Sequence, residues 1–238
     1  MHKILLFIIT LVTLLGAATP KAHCQDVGMS FSYFVPKNGY FSTPISPFSL
    51  RGLGFNLNKY FGIQSGFSLY RMSGLSVIDM PFESQKPIVG PSFTLLVPLE
   101  AVIQMSGKQW EFNVKGGVFA FYSFDQKLNY GNLDEAIRSY ESWLIANSEF
   151  DFDNNIGFGY HFGAEYVFYV NKQFGISLES NYFIGGSDLG LKGSYRGGTL
   201  DSSNNFIYEE RLNQDYSDSR IDFTGLEISF GVIITNGR

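Results

Sequence analysis

The chain is poor in cysteine, in charge and in long apolar runs. A single cysteine, Cys24, in 238 residues excludes a disulfide-stapled scaffold. Charged residues make up only 16% of the chain and aromatic residues 17%, which excludes a disordered protein. No apolar run after residue 18 reaches the ~20 residues that a membrane-spanning helix needs. Because 26 glycines also argue against a helical bundle, this composition predicts β-structure.

The first 24 residues have the pattern of a secretory signal peptide. A short polar start precedes an almost wholly apolar stretch over 4–18, after which small and turn-favouring residues follow. Cleavage is expected after Cys24 or after Ala18, and the residues before Cys24 do not form a lipoprotein motif. A membrane anchor is the alternative, although the stretch is short for a span. The predicted organisation is a signal peptide over 1–24 and a single exported domain over 25–238.

The exported part of the chain is acidic. Removing residues 1–24 takes away Lys3 and Lys21 and no acid, so 15 basic and 22 acidic residues remain, a net charge of −7. Such a surface repels the phosphates of DNA and RNA, and we expect no nucleic-acid partner.

Alternation of bulky apolar residues with small or polar ones predicts strands with two different faces. It is clearest over 156–170, where one face carries Ile156, Phe158, Tyr160, Phe162, Ala164, Tyr166, Phe168 and Val170. The same pattern predicts eight strands in all, over 26–35, 47–58, 62–71, 89–105, 110–118, 156–170, 174–184 and 226–234.

Short and long connections alternate along these strands. The short ones lie around 58–59, 106–108 and 171–173, and the long ones at roughly 36–46, 72–88, 123–155 and 187–221. Tight turns at one end and long loops at the other characterise bacterial outer-membrane barrels. The predicted fold is an all-β, eight-stranded antiparallel up-and-down transmembrane β-barrel with short periplasmic turns, long outer loops and one short loop helix.

The chemistry of the two faces favours a membrane barrel over its soluble alternative. A continuous face of Phe, Tyr, Leu, Ile and Val suits lipid, and a face of Gly, Ser, Asn and Glu suits the crowded interior of a small barrel. A soluble lipocalin-like barrel, with these faces reversed, is the competing interpretation.

The signal pattern, the segment 157–166 and the terminal strand 226–232 together resemble the small outer-membrane β-barrel proteins of the OmpA, OmpX and OmpW type, often described as porin-family barrels. The resemblance implies the bacterial outer membrane as location and its lipid as surroundings. One departure is the C-terminus: such barrels usually end on an aromatic residue, whereas this sequence ends Thr235-Asn236-Gly237-Arg238. Either Phe230 serves that purpose here or the pattern is relaxed.

Inward-facing charged residues are the candidate site. A three-residue turn at 171–173 places Glu165 opposite Glu179, and two adjacent carboxylates in a low dielectric need a proton or a cation as partner. The predicted lumen polar network comprises Glu111, Lys115, His161, Glu165, Glu179 and Glu227. It could form a proton or cation site, but a packed polar plug is favoured. We predict no catalytic residue, no cofactor and no metal ligand, and therefore no enzyme.

The long loops are acidic, and one of them is predicted to contain a helix. Loop 123–155 carries seven acidic and two basic residues, and 187–222 carries seven acidic and four basic ones. Apolar residues at helical spacing, after a start resembling a capping box at Asn132 and Glu135, predict a helix over 132–146. Its predicted contact residues are Tyr140, Trp143 and Leu144. It could rest on the barrel rim, cover the lumen as a lid or dock a partner.

Three functions remain open at this point. The leading one is a structural or interaction barrel that meets an envelope protein partner through its outer loops. The alternatives are a small pore or carrier for hydrophobic or small solutes, and an accessory barrel of a secretion system, similar to PorT-like proteins. Eight strands leave little room for an open channel, so a carrier would need a side opening.

Overall fold

The computed structural model describes residues 27–37, 46–72, 74–84 and 86–235. The predicted signal peptide, residues 1–24, lies outside these residues. No helix of the described chain is long and apolar enough to cross a membrane.

Thirteen strands and one helix follow one another in the described part of the chain. They are β1 (Val27–Pro36), β2 (Ser46–Asn56), β3 (Phe61–Met72), β4 (Val77–Ile78), β5 (Ser92–Ser106), β6 (Trp110–Phe124), α1 (Tyr130–Glu141), β7 (Ile145–Asp151), β8 (Gly157–Tyr169), β9 (Phe174–Asp188), β10 (Leu191–Leu200), β11 (Phe206–Tyr216), β12 (Arg220–Asp222) and β13 (Gly225–Ile234).

Eight of these strands form a closed antiparallel barrel. Each of β1, β2, β3, β5, β6, β8, β9 and β13 pairs with the next, and β13 also pairs with β1 from Val27–Ile234 to Pro36–Gly225. Closure leaves no unpaired strand edge in the wall, as a structure that spans lipid requires. The predicted strand number, antiparallel order and alternation of short and long connections are confirmed.

Two of the three tight turns are closed by an asparagine side chain. Asn58 accepts the backbone N–H groups of Tyr60 and Phe61 through its side-chain oxygen, at 2.8 and 3.0 Å. Asn171 accepts those of Gln173 and Phe174 in the same way, at 2.7 and 2.9 Å. Asparagine is favoured at such positions because its side chain closes the turn without help from distant residues.

The barrel is apolar outside, as predicted, and its lumen is polar at mid-height. The alternating row on β8 points outward, with Phe158 64% exposed, whereas His161 and Glu165 of the same strand are buried. On β1 and β13, Phe31 and Phe230 lie opposite each other and both project outward. Such an exterior would be insoluble in water and matches the hydrocarbon of a membrane.

The loop-side half of the lumen differs from the prediction of small polar residues. Phe119 of β6 points inward and packs against Phe183 and Phe223, with ring centroids 5.0 and 5.8 Å apart. The inward glycines Gly159 and Gly185 make room for it, since a Cβ at either position would lie 2.6 to 2.8 Å from the Phe119 ring. Some of the inward glycines therefore make room for aromatic rings inside the lumen.

The two longest loops fold into a unit at the outer end of the barrel, here called the cap. It consists of α1 and a three-stranded antiparallel sheet in the order β11–β10–β7. The helix begins after its N-cap Asn129, whose side chain accepts the N–H of Asn132 at 3.3 Å. It ends at Glu141, where Ser142 adopts a left-handed conformation.

The predicted helix over 132–146 is thus wrong at both ends. Asn132 is inside the helix and is not its cap, and Leu144 leads into strand β7 although it continues the helical spacing. The strands β7, β10 and β11 were not predicted. Partners on β7 and β10 are 41 to 53 positions apart, which leaves no local signal, whereas β10 and β11 form a hairpin that the sequence analysis missed. Their registers are set by contacts across the cap.

Candidate functional site

A lysine between two glutamates lies at the centre of the lumen. Glu165 of β8 is the cross-strand partner of Glu179 of β9. Lys115 projects from β6 between them, with Nζ 2.7 Å from Glu165 Oε2 and 3.1 Å from Glu179 Oε1. All three side chains are buried. The turn at 171–173 places the acids together, as the sequence indicates, and the barrel brings the cation to them.

A second buried ion pair lies beside the first. Arg51 of β2 donates from Nη2 to Glu227 Oε1 of β13 at 2.8 Å, and its Nη1 lies 3.8 Å from Glu100 Oε1 of β5. Glu227 also accepts the hydroxyl of Tyr70. Gln64 donates to the other oxygen of Glu100 at 2.6 Å. These contacts join strands that are far apart in the sequence.

Two asparagines connect neighbouring carboxylates. Asn113 donates to Glu111 at 3.0 Å and to Glu165 at 3.2 Å, and Asn181 donates to both Glu179 and Glu227 at 2.9 Å. Asn113 therefore links Glu111 to Glu165, and Asn181 links Glu179 to Glu227. Because Lys115 joins Glu165 to Glu179, the network is continuous across the lumen.

The lumen histidine takes little part in this network. His161 packs its ring on Phe183 with an interplanar angle of 19° and lies against Phe119. Its Nε2 is 3.6 Å from Glu100 Oε1, which is too long for a hydrogen bond. Neither ring nitrogen has a hydrogen-bond partner among the residues that the structure describes, and His161 lies at the border between the polar layer and the aromatic layer.

The sequence analysis missed Arg51 and Glu100. Glu100 could have been found, because it has the inward parity of the predicted strand 89–105. Arg51 could not, because the register of β2 against β3 shifts between Leu50 and Leu53, where Gly52 has φ of 79°. A bulge of this kind changes the face to which a side chain points, and parity alone does not reveal it.

The polar layer is enclosed between two apolar ones. Toward the turns it is followed by Val102, Val167 and Ile233, all buried, and toward the loops by the aromatic layer of Phe119 and Phe183. Among described residues, no group of three or more His, Cys, Asp or Glu side chains is arranged to hold a metal ion. The ion pairs and hydrogen bonds of the polar layer cross-link the strands of the barrel wall.

The cap has an aromatic core of its own. Trp143 is 7% exposed and packs on Tyr195, with ring centroids 5.8 Å apart, and the guanidinium of Arg211 lies 5.5 Å from its ring centroid. Burial and a hydrogen bond to Glu141 raise the pKa of the Tyr195 phenol well above its usual value. The same buried cluster continues into the aromatic layer of the lumen, so the cap is packed onto the barrel.

The three predicted contact residues of the loop helix are separated by this folding. Tyr140 and Leu144 are exposed, by 53% and 55%, whereas Trp143 is part of the cap core. Trp143 therefore stabilises the cap and offers no contact surface, which corrects its predicted role.

An apolar surface that the sequence analysis did not identify lies on the cap sheet. Ile145, Gly198 and Tyr208 form one cross-strand row, and Leu200 and Phe206 form the next. A Cβ on Gly198 would lie 2.9 Å from the tip of the Phe206 ring, so that ring covers the glycine. We call the four exposed side chains Ile145, Leu200, Phe206 and Tyr208 the distal patch.

Comparison with family models and with curated protein sequences gives no match. Among solved structures, the chain is similar to the outer membrane protein OprG from Pseudomonas aeruginosa, at 10% identity and a TM-score of 0.45, covering 90% of this chain and 96% of that one. It is also similar to the attachment invasion locus protein Ail of Yersinia pestis, at 11% identity, TM-score 0.37 and coverages of 88% and 94%. The chain is similar as well to a major outer membrane protein from Thermus thermophilus, at 11% identity and a TM-score of 0.39, covering 89% of this chain and 99% of that one.

The assignment itself follows from the geometry of this chain. The wall is closed, its exterior is apolar over all eight strands, the charged side chains at mid-wall lie inside, and its turns are short at one end only. Together these features are those of a bacterial outer-membrane barrel. The protein is an integral outer-membrane β-barrel of eight strands.

Proposed function

We propose that this barrel serves as a membrane anchor for the cap, and that the cap presents the distal patch to an envelope protein partner. The observation that carries the proposal is the exposed apolar patch on a folded cap that lies beyond the membrane-facing wall. Lipid accounts for the apolar exterior of the barrel strands, but it does not account for apolar side chains on the cap.

The position of the patch supports contact with another protein. β10 begins three residues after β9 ends, and Leu200 is its last residue. Ten extended residues span about 33 Å, which carries the patch to the end of the cap farthest from the barrel. Contiguous apolar surface in such a place is typical of protein contact sites.

The sheet edge next to the patch supports the same proposal. β11 pairs only with β10 among the described strands, so its other edge is open to an added strand. Glu209, Glu210 and Arg211 lie in the middle of this edge and reduce unspecific strand pairing, because a charged edge disfavours aggregation. The uncharged end of β11, from Phe206 to Tyr208, is the part that belongs to the patch.

Substituting serine for both Phe206 and Tyr208 is expected to abolish partner capture. The double variant removes two exposed rings without touching the cap core, so folding is expected to be unchanged. The measurement is quantitative mass spectrometry of proteins that co-purify with the chain from cross-linked native outer membranes. The matched control is Leu212→Ser, on the same strand and 58% exposed against 57% for Tyr208.

The expected result is that one or more envelope proteins are lost with the double variant and retained with the control. The proposal is wrong if the double variant retains the same proteins in the same amounts as the unmodified chain.

The lumen contacts support an anchor more than a pore. Replacing Glu179 with leucine removes an acceptor of Lys115 and of Asn181 and is expected to lower the thermal unfolding temperature by about 5 °C. Conductance in planar bilayers is expected to stay at the background level for both proteins. A conductance change in the variant would contradict the plugged lumen and favour the pore.

A further inference from the structure

We propose that the side chains of Lys115 and Asn181 join in a covalent amide bond once the barrel has closed. The bond links β6 to β9 across the lumen and is a chemical activity that the anchor and the cap do not require. Its components are a buried amine, a buried carboxamide and a carboxyl group in contact with both. Lys115 is 3% exposed, and Asn181 is completely buried.

One carboxylate oxygen contacts both reacting side chains. Oε1 of Glu179 is 3.1 Å from Lys115 Nζ and accepts a hydrogen bond from Asn181 Nδ2 at 2.9 Å. Such fixed contact replaces a chance encounter between separate molecules. Because apolar layers enclose the polar layer toward the turns and toward the loops, little water competes with the amine.

The strand between the two residues leaves their path open. Gly163 of β8 is the cross-strand partner of Lys115 on one side and of Asn181 on the other. The Asn181 side chain lies over this glycine, since a Cβ there would clash with Oδ1 and lie 2.9 Å from Cγ. The carboxamide is therefore directed across β8 toward β6. Lysine has a flexible four-carbon stem, so Nζ can move from Glu179 to Cγ without displacing a strand.

The reaction needs no added reagent. Burial favours neutral groups, so Lys115 first passes a proton to Glu179 and becomes an uncharged amine. Nζ then attacks Cγ of Asn181, and the new C–N bond forms as the bond from Cγ to Nδ2 breaks. Glu179 gives its proton to Nδ2, which leaves as ammonia, and takes up the proton that Nζ releases. The charge of the lumen is unchanged, because the proton that Lys115 carried stays on Glu179.

Asn113 is the competing partner for the amine. It donates to Glu165 Oε2 at 3.2 Å, and this oxygen is 2.7 Å from Lys115 Nζ. Asn113 and Lys115 are two residues apart on the same strand, so their side chains project from β6 in parallel. Asn181 instead reaches toward Lys115 across Gly163, which favours it as the partner. Asn113 therefore provides the matched control.

The test is mass spectrometry of the chain purified from outer membranes in detergent, then unfolded and digested with trypsin. The bond lowers the mass by about 17 Da, one ammonia, and blocks cleavage after Lys115. It therefore joins the peptides 109–127 and 173–192. The joined peptide decides the outcome, because a glutamine at the N-terminus of a chain also loses ammonia. Chain from inclusion bodies that has never folded is the reference.

We expect the joined peptide in most of the folded chain and none in the reference. Lys115→Arg, which keeps the charge, and Asn181→Ala are expected to abolish it, whereas Asn113→Ala retains it. Glu179→Gln cannot carry the proton and is expected to slow its formation at least about tenfold.

Heat-modifiable gel mobility shows that each variant is folded, and the unmodified chain decides the outcome by itself if a variant does not fold. The proposal fails if the folded unmodified chain yields only free Lys115, if the bond persists in Asn181→Ala, or if Asn113→Ala abolishes it. An unchanged rate in Glu179→Gln would overturn the role of Glu179.

Discussion

Replacing Lys115 with methionine is expected to destabilise the barrel by about 3–5 kcal/mol, the usual cost of removing one partner from a buried ion pair. The reason is the charge balance of the lumen. Lys115 neutralises Glu165 and Glu179 at 2.7 and 3.1 Å, and both remain buried after the substitution. Urea unfolding in detergent micelles, followed by the fluorescence of Trp110 at the turn end of the wall, measures the loss.

Two companion variants show whether charge is the cause. Adding Glu165→Gln and Glu179→Gln to Lys115→Met is expected to recover most of the stability, because no uncompensated carboxylate then remains at this place. Lys127→Met, which removes an exposed partner of Asp125, is expected to change stability by less than about 1 kcal/mol. If Lys115→Met were no more costly than Lys127→Met, the lumen network would not hold the wall together.

Replacing Trp143 with alanine is expected to unfold the cap while leaving the barrel intact. Removing a buried tryptophan costs about 3–5 kcal/mol, and Trp143 contacts both Tyr195 of β10 and Arg211 of β11. Limited trypsin digestion measures the effect, because the peptide bonds after Arg138, within α1, and Arg211, within β11, can enter the protease only when these elements unfold. Heat-modifiable mobility of the barrel is expected to persist.

Leu144→Ala is the matched control for the cap. Leu144 is the next residue in the chain and is 55% exposed, so its truncation is expected to leave the trypsin pattern unchanged. Equal protection of Arg138 in the Trp143→Ala variant and in the unmodified chain would mean that the cap is held by other contacts.

Strand β8 shows how much of the structure the local sequence pattern can predict. Fifteen alternating residues are enough to predict a strand, its length and which face meets lipid, because side chains on a strand alternate strictly. The same rule with a three-residue turn places Glu165 opposite Glu179. These predictions need no information from distant residues, and the structure agrees with them.

Arg51 shows where local pattern stops. The register of β2 against β3 shifts between Leu50 and Leu53, so alternation counted from Leu53 gives the wrong face for Arg51. Gly52, with φ of 79°, marks the bulge, but the strands that pair with β2 decide which side chains it directs into the lumen.

The cap illustrates the same division on a larger scale. The helical spacing of Leu133 and Ile137 predicted a helix, and both side chains are buried beneath it. The spacing also predicted helix at Leu144, where pairing of β7 with β10 prevails. Local preference gives way there because cross-strand contacts stabilise an extended chain more than a further turn of helix does.

The sequence by itself determined the eight strands, their order, the lipid-facing side and most of the inward acids together with Lys115, because each follows from the period of a strand and the length of its connections. Only the tertiary structure decided which acids Lys115 and Arg51 pair with, the folding of two long loops into a cap, and the surfaces that remain exposed on it. These depend on contacts between residues far apart in the chain, which come together only when the barrel closes.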